Sequence, residues 1–227
     1  LLEAIPAIDG VIGTRRWMDI VPFVEQVRSA SSPPIHCPTH PAAQPPALPQ
    51  AAIQGRSAYL RLADGCSRSC AFCAIPSIKG PAVSRAPAAI LADAAWLAGQ
   101  GVQEIVLIAQ DTTDYGRDLG LEDGLAGLLK QMVAAAPEVA WFRLMYAYPG
   151  RVTAALIETM AGHPQILPYL DIPLQHAHPA VLRRMRRPAD VAEVRRTVAQ
   201  LRAAMPEIAL RTTFLVGYPG ESQAEFR

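Results

Sequence analysis

The sequence predicts an α/β domain built around a parallel sheet. Two observations carry this: short continuous apolar runs alternate with helix-period segments from Tyr59 onward, and the polar or special residues collect just after the apolar runs. The 227 residues can bury one sizeable core, and their 51% hydrophobic and 18% charged content is that of a globular chain. A net charge of +1 offers no electrostatic ground for a long nucleic-acid groove and leaves a local basic patch as the only route to one. No run approaches the roughly 18 apolar residues of a membrane span, and no charged-then-apolar leader opens the chain. The expectation is a cytoplasmic protein with no membrane partner.

Strands are expected at 58–63, 104–109, 141–146, 169–173 and 209–216. Helices are expected at 87–99, 121–135, 153–161, 179–185 and 191–204. Ile90, Ala94 and Leu97 share one helical face, and Gly99 and Gly101 end that helix. Five such units form either an open doubly wound sheet or most of a β/α barrel, and both bind ligands at the carboxyl ends of their strands.

Upstream, a helix is expected near Trp17–Arg28. Residues 31–50 hold seven of the 21 prolines, which remove backbone donors and fix φ, so the stretch reads as an extended linker. The expected organisation is a tail of an upstream domain at 1–30, a linker at 31–52 and the main domain at 53–227. The chain starts at Leu1 and closes on 221–227, which reads as the first turns of a helix, so both ends look cut.

The strongest chemical signal follows the first strand. Cys66, Cys70 and Cys73 form C-x3-C-x2-C within eight residues. Disulfides would leave one thiol over, and structural zinc needs a fourth ligand, for which a distant residue such as His176 would have to serve. A cube of four irons and four sulfides held by three thiolates keeps one iron open to a small molecule. His36, Cys37 and His40 lie among prolines and are set aside as a chance feature of the linker, with Cys37 outside the cluster.

Gln110 and Asp111 end the second strand. Turn and helix-cap chemistry suits Asp111 as well as ligand contact does. Gln175 and His176 follow the fourth strand, where a lone histidine is more often structural. Gly217, Gly220 and Glu221 follow the fifth, where glycine lets backbone approach a ligand, or where a plain strand-to-helix turn places Glu221 near a helix dipole. Arg183, Arg184, Arg186 and Arg187 read as a solvated helix face, with a docking patch as the other reading.

C-x3-C-x2-C with Phe72 before its last cysteine resembles the radical S-adenosylmethionine superfamily. The resemblance implies a partial (β/α) barrel whose last strand lies beyond Arg227, leaving an exposed sheet edge. It makes Cys66, Cys70 and Cys73 ligands of a [4Fe-4S] cluster and puts Phe72 near the adenine of S-adenosyl-L-methionine. There the open iron holds the cofactor's amino and carboxylate groups, and one electron from the cluster releases a 5′-deoxyadenosyl radical.

Further segments narrow the likeness: 73–80, Gln110-Asp111-Thr112-Thr113, Tyr146-Ala147-Tyr148-Pro149, Asp171-Ile172-Pro173-Leu174-Gln175-His176, Met185-Arg186-Arg187-Pro188 and 211–221. Together they resemble the methylthiotransferases, and within them the branch acting on the β-carbon of an aspartate in small-subunit ribosomal protein S-twelve. Ala109 stands where that branch more often has serine. The likeness covers about residue 57 to the end and, more loosely, 1–28. It implies Gln110 and Asp111 as catalytic or substrate-facing residues. Gln175, His176, Gly217, Gly220 and Glu221 become cofactor contacts by the same likeness.

The family also needs an electron donor, a sulfur donor and a second [4Fe-4S] cluster on three N-terminal cysteines, which this sequence does not contain. The chain is therefore expected to bind one cluster without completing sulfur insertion. The rival readings are a tRNA methylthiotransferase and, more distantly, a non-enzymatic iron–sulfur electron carrier.

Overall fold

The computed structural model describes residues 4–36 and 51–227, in two compact units, Leu1–Pro49 and Gln50–Arg227. In the first unit, strand β1 (Val11–Ile12) is followed by a 3-10 segment (Thr14–Asp19) and helix α1 (Ile20–Ser29). Strand β2 (Ile35–His36) pairs in parallel with β1, so the proline-rich stretch holds a two-residue strand. Phe23 of α1 is buried and its ring lies 6.3 Å from that of His36. Cys37, His40 and the rest of the linker up to residue 50 lie outside the described residues.

The second unit opens with β3 (Ala51–Gln54), β4 (Ser57–Arg61) and β5 (Ala63–Asp64), followed by α2 (Ile75–Lys79) and β6 (Val83–Ser84). Four strand–helix repeats follow. They comprise α3 (Pro87–Gly99), β7 (Glu104–Ile108), α4 (Gly124–Ala135), β8 (Trp141–Leu144), α5 (Ala154–Gly162), β9 (Ile166–Asp171), α6 (Pro179–Arg184), α7 (Val191–Ala204) and β10 (Ala209–Arg211). A last turn, α8 (Gln223–Phe226), carries a capping box between Ser222 and Glu225.

The main sheet has the order β10-β9-β8-β7-β4-β3. From β4 to β10 every pairing is parallel, and β3 joins antiparallel at the other edge. Parallel strands in chain order contain no point where the winding reverses. This excludes the doubly wound alternative and leaves the winding of an open barrel wall. No closed barrel forms among the described residues, because β3 and β10 are not paired with each other.

Alternation along the strands separates the two faces. Ala58, Leu60, Ile105, Leu107, Phe142, Leu144 and Leu170 are buried against Ile90, Ala94 and Leu97 of α3, Leu128, Leu129 and Met132 of α4, and Leu156 and Met160 of α5. The intervening residues face away from this core; in β7 they include the buried Val106, and at the sheet's amino end they carry polar groups. Arg143 Nε donates to Glu104 Oε1 at 2.7 Å, and its guanidinium stacks 4.8 Å from the Tyr169 ring.

Three differences from the sequence expectation have local causes. The strand expected at 169–173 begins earlier, at Ile166, and tolerates Pro168 because a register irregularity between β8 and β9 falls at that point. The strand expected at 209–216 stops at Arg211, and beyond it only Phe214 bridges back to Gln175. The helix expected from Leu121 starts at Gly124, after a turn in which Asp123 has φ +46°. Among the described residues no helix is long and apolar enough to cross a membrane.

Candidate functional site

The segments after β4, β7, β8, β9 and β10 gather at the carboxyl edge of the sheet. The cysteine loop is anchored there at its base. Gly65 has φ +74°, and a Cβ on it would meet Pro81 O at 2.2 Å and Gly80 O at 2.7 Å, so the entry to the loop requires glycine. The Cys66 amide donates to Gly80 O at 3.0 Å, and the Ala82 amide donates to Ser67 Oγ at 3.1 Å. Further along, the Ala71 amide donates to Met185 O at 3.0 Å, and the Cys73 amide closes a turn onto Cys70 O at 3.1 Å.

All three thiols are free. Cys66 is buried, Cys70 half-buried and Cys73 exposed, so the sulfurs are presented along a gradient from core to solvent. Burial pushes the Cys66 thiol up, against the Arg68 amide, which donates to Cys66 Sγ at 3.4 Å. No three His, Cys, Asp or Glu side chains among the described residues converge on a single ion. A thiol-only donor set spread along a loop fits an iron–sulfur cube, whose ligands surround a face, better than one zinc ion. His176 is no candidate for a fourth zinc ligand, because both ring nitrogens are engaged within the protein.

Arg68, between Cys66 and Cys70, points back into the fold. Its Nε donates to Asp111 Oδ2 and its Nη2 to Asp114 Oδ1, each at 2.8 Å, and its guanidinium stacks 4.5 Å from the Tyr148 ring. Asp111 Oδ1 accepts from Thr113 Oγ1, whose oxygen in turn accepts the Tyr148 amide at 3.1 Å. Asp111 begins the short 3-10 turn Thr112–Asp114 but makes no side-chain cap. Asp111, which sequence left open to capping or ligand contact, thus ties the cysteine loop through Oδ2 and the turn after β7 through Oδ1. Gln110 is oriented differently: it is exposed and lines a 480 Å³ cavity with Arg61, Asp64, Lys79 and Tyr146.

The β9 end is strained. Gln175 has φ +72° and Tyr146, after β8, has φ +59°, conformations that cost a residue with a Cβ about 1–3 kcal/mol each. Backbone pairing holds Gln175 in place: its amide donates to Thr213 O at 2.8 Å and its carbonyl accepts from Leu215 at 2.7 Å. His176 Nδ1 accepts the His178 amide at 2.9 Å, which places the ring proton on Nε2, 3.2 Å from Glu221 Oε1. The Tyr218 amide donates to Glu221 Oε2 at 2.9 Å and, with His176, holds the Glu221 carboxyl below its usual range. His176 and Glu221 are therefore one buried pair joining the β9 and β10 loops. Gly217 and Gly220 have φ +72° and +78° with open space around them, and Phe72 is 39% exposed.

The sequence reading gave Tyr148 no role of its own and read Arg187 as part of a solvated helix face, with a docking patch as the other reading. In the structure Arg183 and Arg186 are exposed, whereas Arg184 pairs with Glu225 at 2.9 Å and Arg187 turns inward onto Tyr148, 4.5 Å from the ring. The Pro188 that follows was the available signal, since a residue before proline is driven out of the helical region. Asp171 was also missed as a site residue. It is buried and Oδ1 has no hydrogen-bond partner among the described residues, while Arg211 lies 3.5 Å from Oδ2. Burial raises its carboxyl, opposed by Arg211.

Comparison with known proteins bears on this site. The Radical SAM superfamily profile matches residues 60–227. "Ribosomal protein uS12 methylthiotransferase RimO" of Roseiflexus sp. (strain RS-1) is 50% identical over 247 residues, covering 100% of this chain and 52% of the relative. The protein of the same name from Herpetosiphon aurantiacus is 56% identical over 175 residues, covering 77% of this chain and 37% of the relative. The chain spans about half the length of the curated relatives it matches. Among solved structures, the radical S-adenosylmethionine methyltransferase TsrM from Kitasatospora setae superimposes with a TM-score of 0.59 at 16% identity. That match covers 75% of this chain and 32% of that one, and supports the fold alone.

Proposed function

The chain belongs to the Radical SAM superfamily, and from that premise we propose that it is the core domain of a methylthiotransferase acting on an aspartate of ribosomal protein uS12. The observation that carries the reading is the loop of three free thiols rooted at the carboxyl end of the first parallel strand. Identity of 50% over the full chain to a protein named for that activity supports uS12 as the substrate. Residues 1–30 are read as the tail of an upstream domain and 31–52 as a linker, with the core from 53 onward.

In this reading Cys66, Cys70 and Cys73 hold a [4Fe-4S] cluster. When bound, that cluster supplies the electron that splits S-adenosyl-L-methionine into methionine and a carbon radical able to take hydrogen from an unactivated carbon. The chain's own residues bind, orient and enclose. Phe72, half-exposed beside Cys73, offers an apolar face for the adenine. The backbone of Gln175, held left-handed by its neighbours, and the open glycines Gly217 and Gly220 let main chain approach the cofactor. His176, with its proton on Nε2, fixes Glu221 and so the distance between two loops that line the same mouth. Gln110 orients a substrate side chain in this reading, which its position in the cavity with Tyr146 and Lys79 supports. Asp111 positions the cysteine loop through Arg68.

Whole-protein steps are part of the same proposal: a second cluster delivering sulfur, an external electron donor, an external sulfur donor and uS12 docking, all in the cytoplasm. The test uses the full-length protein with uS12 and with tRNA as separate substrates under reducing, anaerobic conditions. Methylthiolation of the uS12 aspartate supports the reading. Modification of tRNA in its place overturns the substrate assignment.

A further inference from the structure

We propose that Arg187 is a positioning residue for Cys70, its guanidinium donating to the ligand sulfur and raising the reduction potential of the group held there. This rests on the proposed cluster at Cys66, Cys70 and Cys73.

The inference starts from charge. A half-buried guanidinium is ordinarily paired with a carboxylate, because leaving it unpaired is costly. Arg187 has no carboxylate within ion-pair distance among the described residues. The groups its guanidinium contacts directly are uncharged. Nη2 donates to Pro173 O, Nη1 donates to Cys70 Sγ at 3.7 Å, and the plane stacks 4.5 Å from the Tyr148 ring. Nε is buried with no partner.

An arginine held so firmly without an anion is completed when Cys70 becomes a thiolate, as a cluster ligand must be. The other guanidinium on the Tyr148 ring, that of Arg68, is paired with Asp111 and Asp114. Two guanidiniums therefore share one aromatic shelf, and among the described residues only Arg68 has its counter-charge.

The consequence is electronic. Adding one electron to a thiolate-held cluster increases its negative charge, and a fixed cation with an N–H on a ligand sulfur favours that form. The electron comes from a low-potential one-electron donor, and no proton moves on Arg187.

The test is a potentiometric titration, read by electron paramagnetic resonance, of the anaerobically reconstituted chain. The variants are Arg187→Met, Arg187→Gln and, as a control that keeps the aromatic shelf, Tyr148→Phe. The expected result is a tenfold or larger fall in the equilibrium constant for reduction in both arginine variants, equivalent to about 59 mV for one electron. Y148F should stay at the wild-type value. Potentials unchanged in R187M and R187Q, with cluster present, overturn this inference and leave the proposed function standing. Loss of the cluster in both, with circular dichroism unchanged, overturns tuning in favour of a purely structural role. A wild-type chain that holds no cluster overturns the proposed function itself.

Discussion

Arg68 and Asp111 are joined at 2.8 Å through the arginine Nε and the Oδ2 of a carboxylate that is nearly inaccessible to solvent. One residue lies between two of the clustered cysteines and the other lies in the turn just beyond β7, so this pair fixes the cysteine loop to the end of the second parallel strand. The same guanidinium reaches Asp114 and rests on Tyr148, and the four side chains form one network.

Breaking that network from one side should be costly. Asp111→Ala leaves Arg68 with only Asp114, in a site where it is mostly buried, and the expected loss is about 3 kcal/mol in denaturant unfolding. Cluster retention should fall with it. A loss below about 1 kcal/mol would mean that the pair is screened like a surface bridge.

Gly65→Ala tests the loop entry. The added methyl would sit 2.2 Å from Pro81 O, a backbone atom that cannot swing away. Gly55 provides the comparison, since its φ of +62° is as unfavourable for alanine but nothing lies within 4 Å. Iron retained after reconstitution should drop sharply in G65A and stay near wild type in G55A. Equal retention in the two would show that the loop does not depend on this close approach.

Asp171 gives a pH-dependent prediction. Burial raises its carboxyl above the ordinary 3.8, so the folded state holds the proton more tightly than the unfolded state. Stability from this group is fully present below 3.8 and is lost as pH rises through the higher folded value. Asp171→Asn removes a buried charge whose Oδ1 has no partner among the described residues and whose Arg211 contact is 3.5 Å long, and should raise stability at pH 7 by roughly 1 kcal/mol, with the gain vanishing below 3.8. Parallel denaturant titrations of wild type and D171N across that range measure it. A variant less stable at pH 7 would show that the Arg211 contact outweighs the desolvation.

The strand–helix alternation was legible because continuous apolar runs such as Ile105, Val106 and Leu107 are buried, and it predicted the parallel sheet. Whether that sheet winds one way or reverses is set by strand order, which periodicity does not encode. The cysteine loop was legible from spacing alone. Its supports were not: Arg68, Tyr148 and Arg187 are separated by 80 and 39 residues, and only the fold stacks them. Asp111 illustrates the limit, since a carboxylate after a strand suits a cap, a ligand contact or an ion pair, and the partner that decides lies 43 residues away.

The central claim is that Cys66, Cys70 and Cys73 hold one [4Fe-4S] cluster that cleaves S-adenosyl-L-methionine. Anaerobic reconstitution of this chain, followed by iron analysis and a 5′-deoxyadenosine assay, tests it most directly. The account predicts about four irons per chain, 5′-deoxyadenosine formed on reduction, and both lost in Cys70→Ala. Iron content unchanged in C70A, or a wild-type chain that retains none, would contradict it.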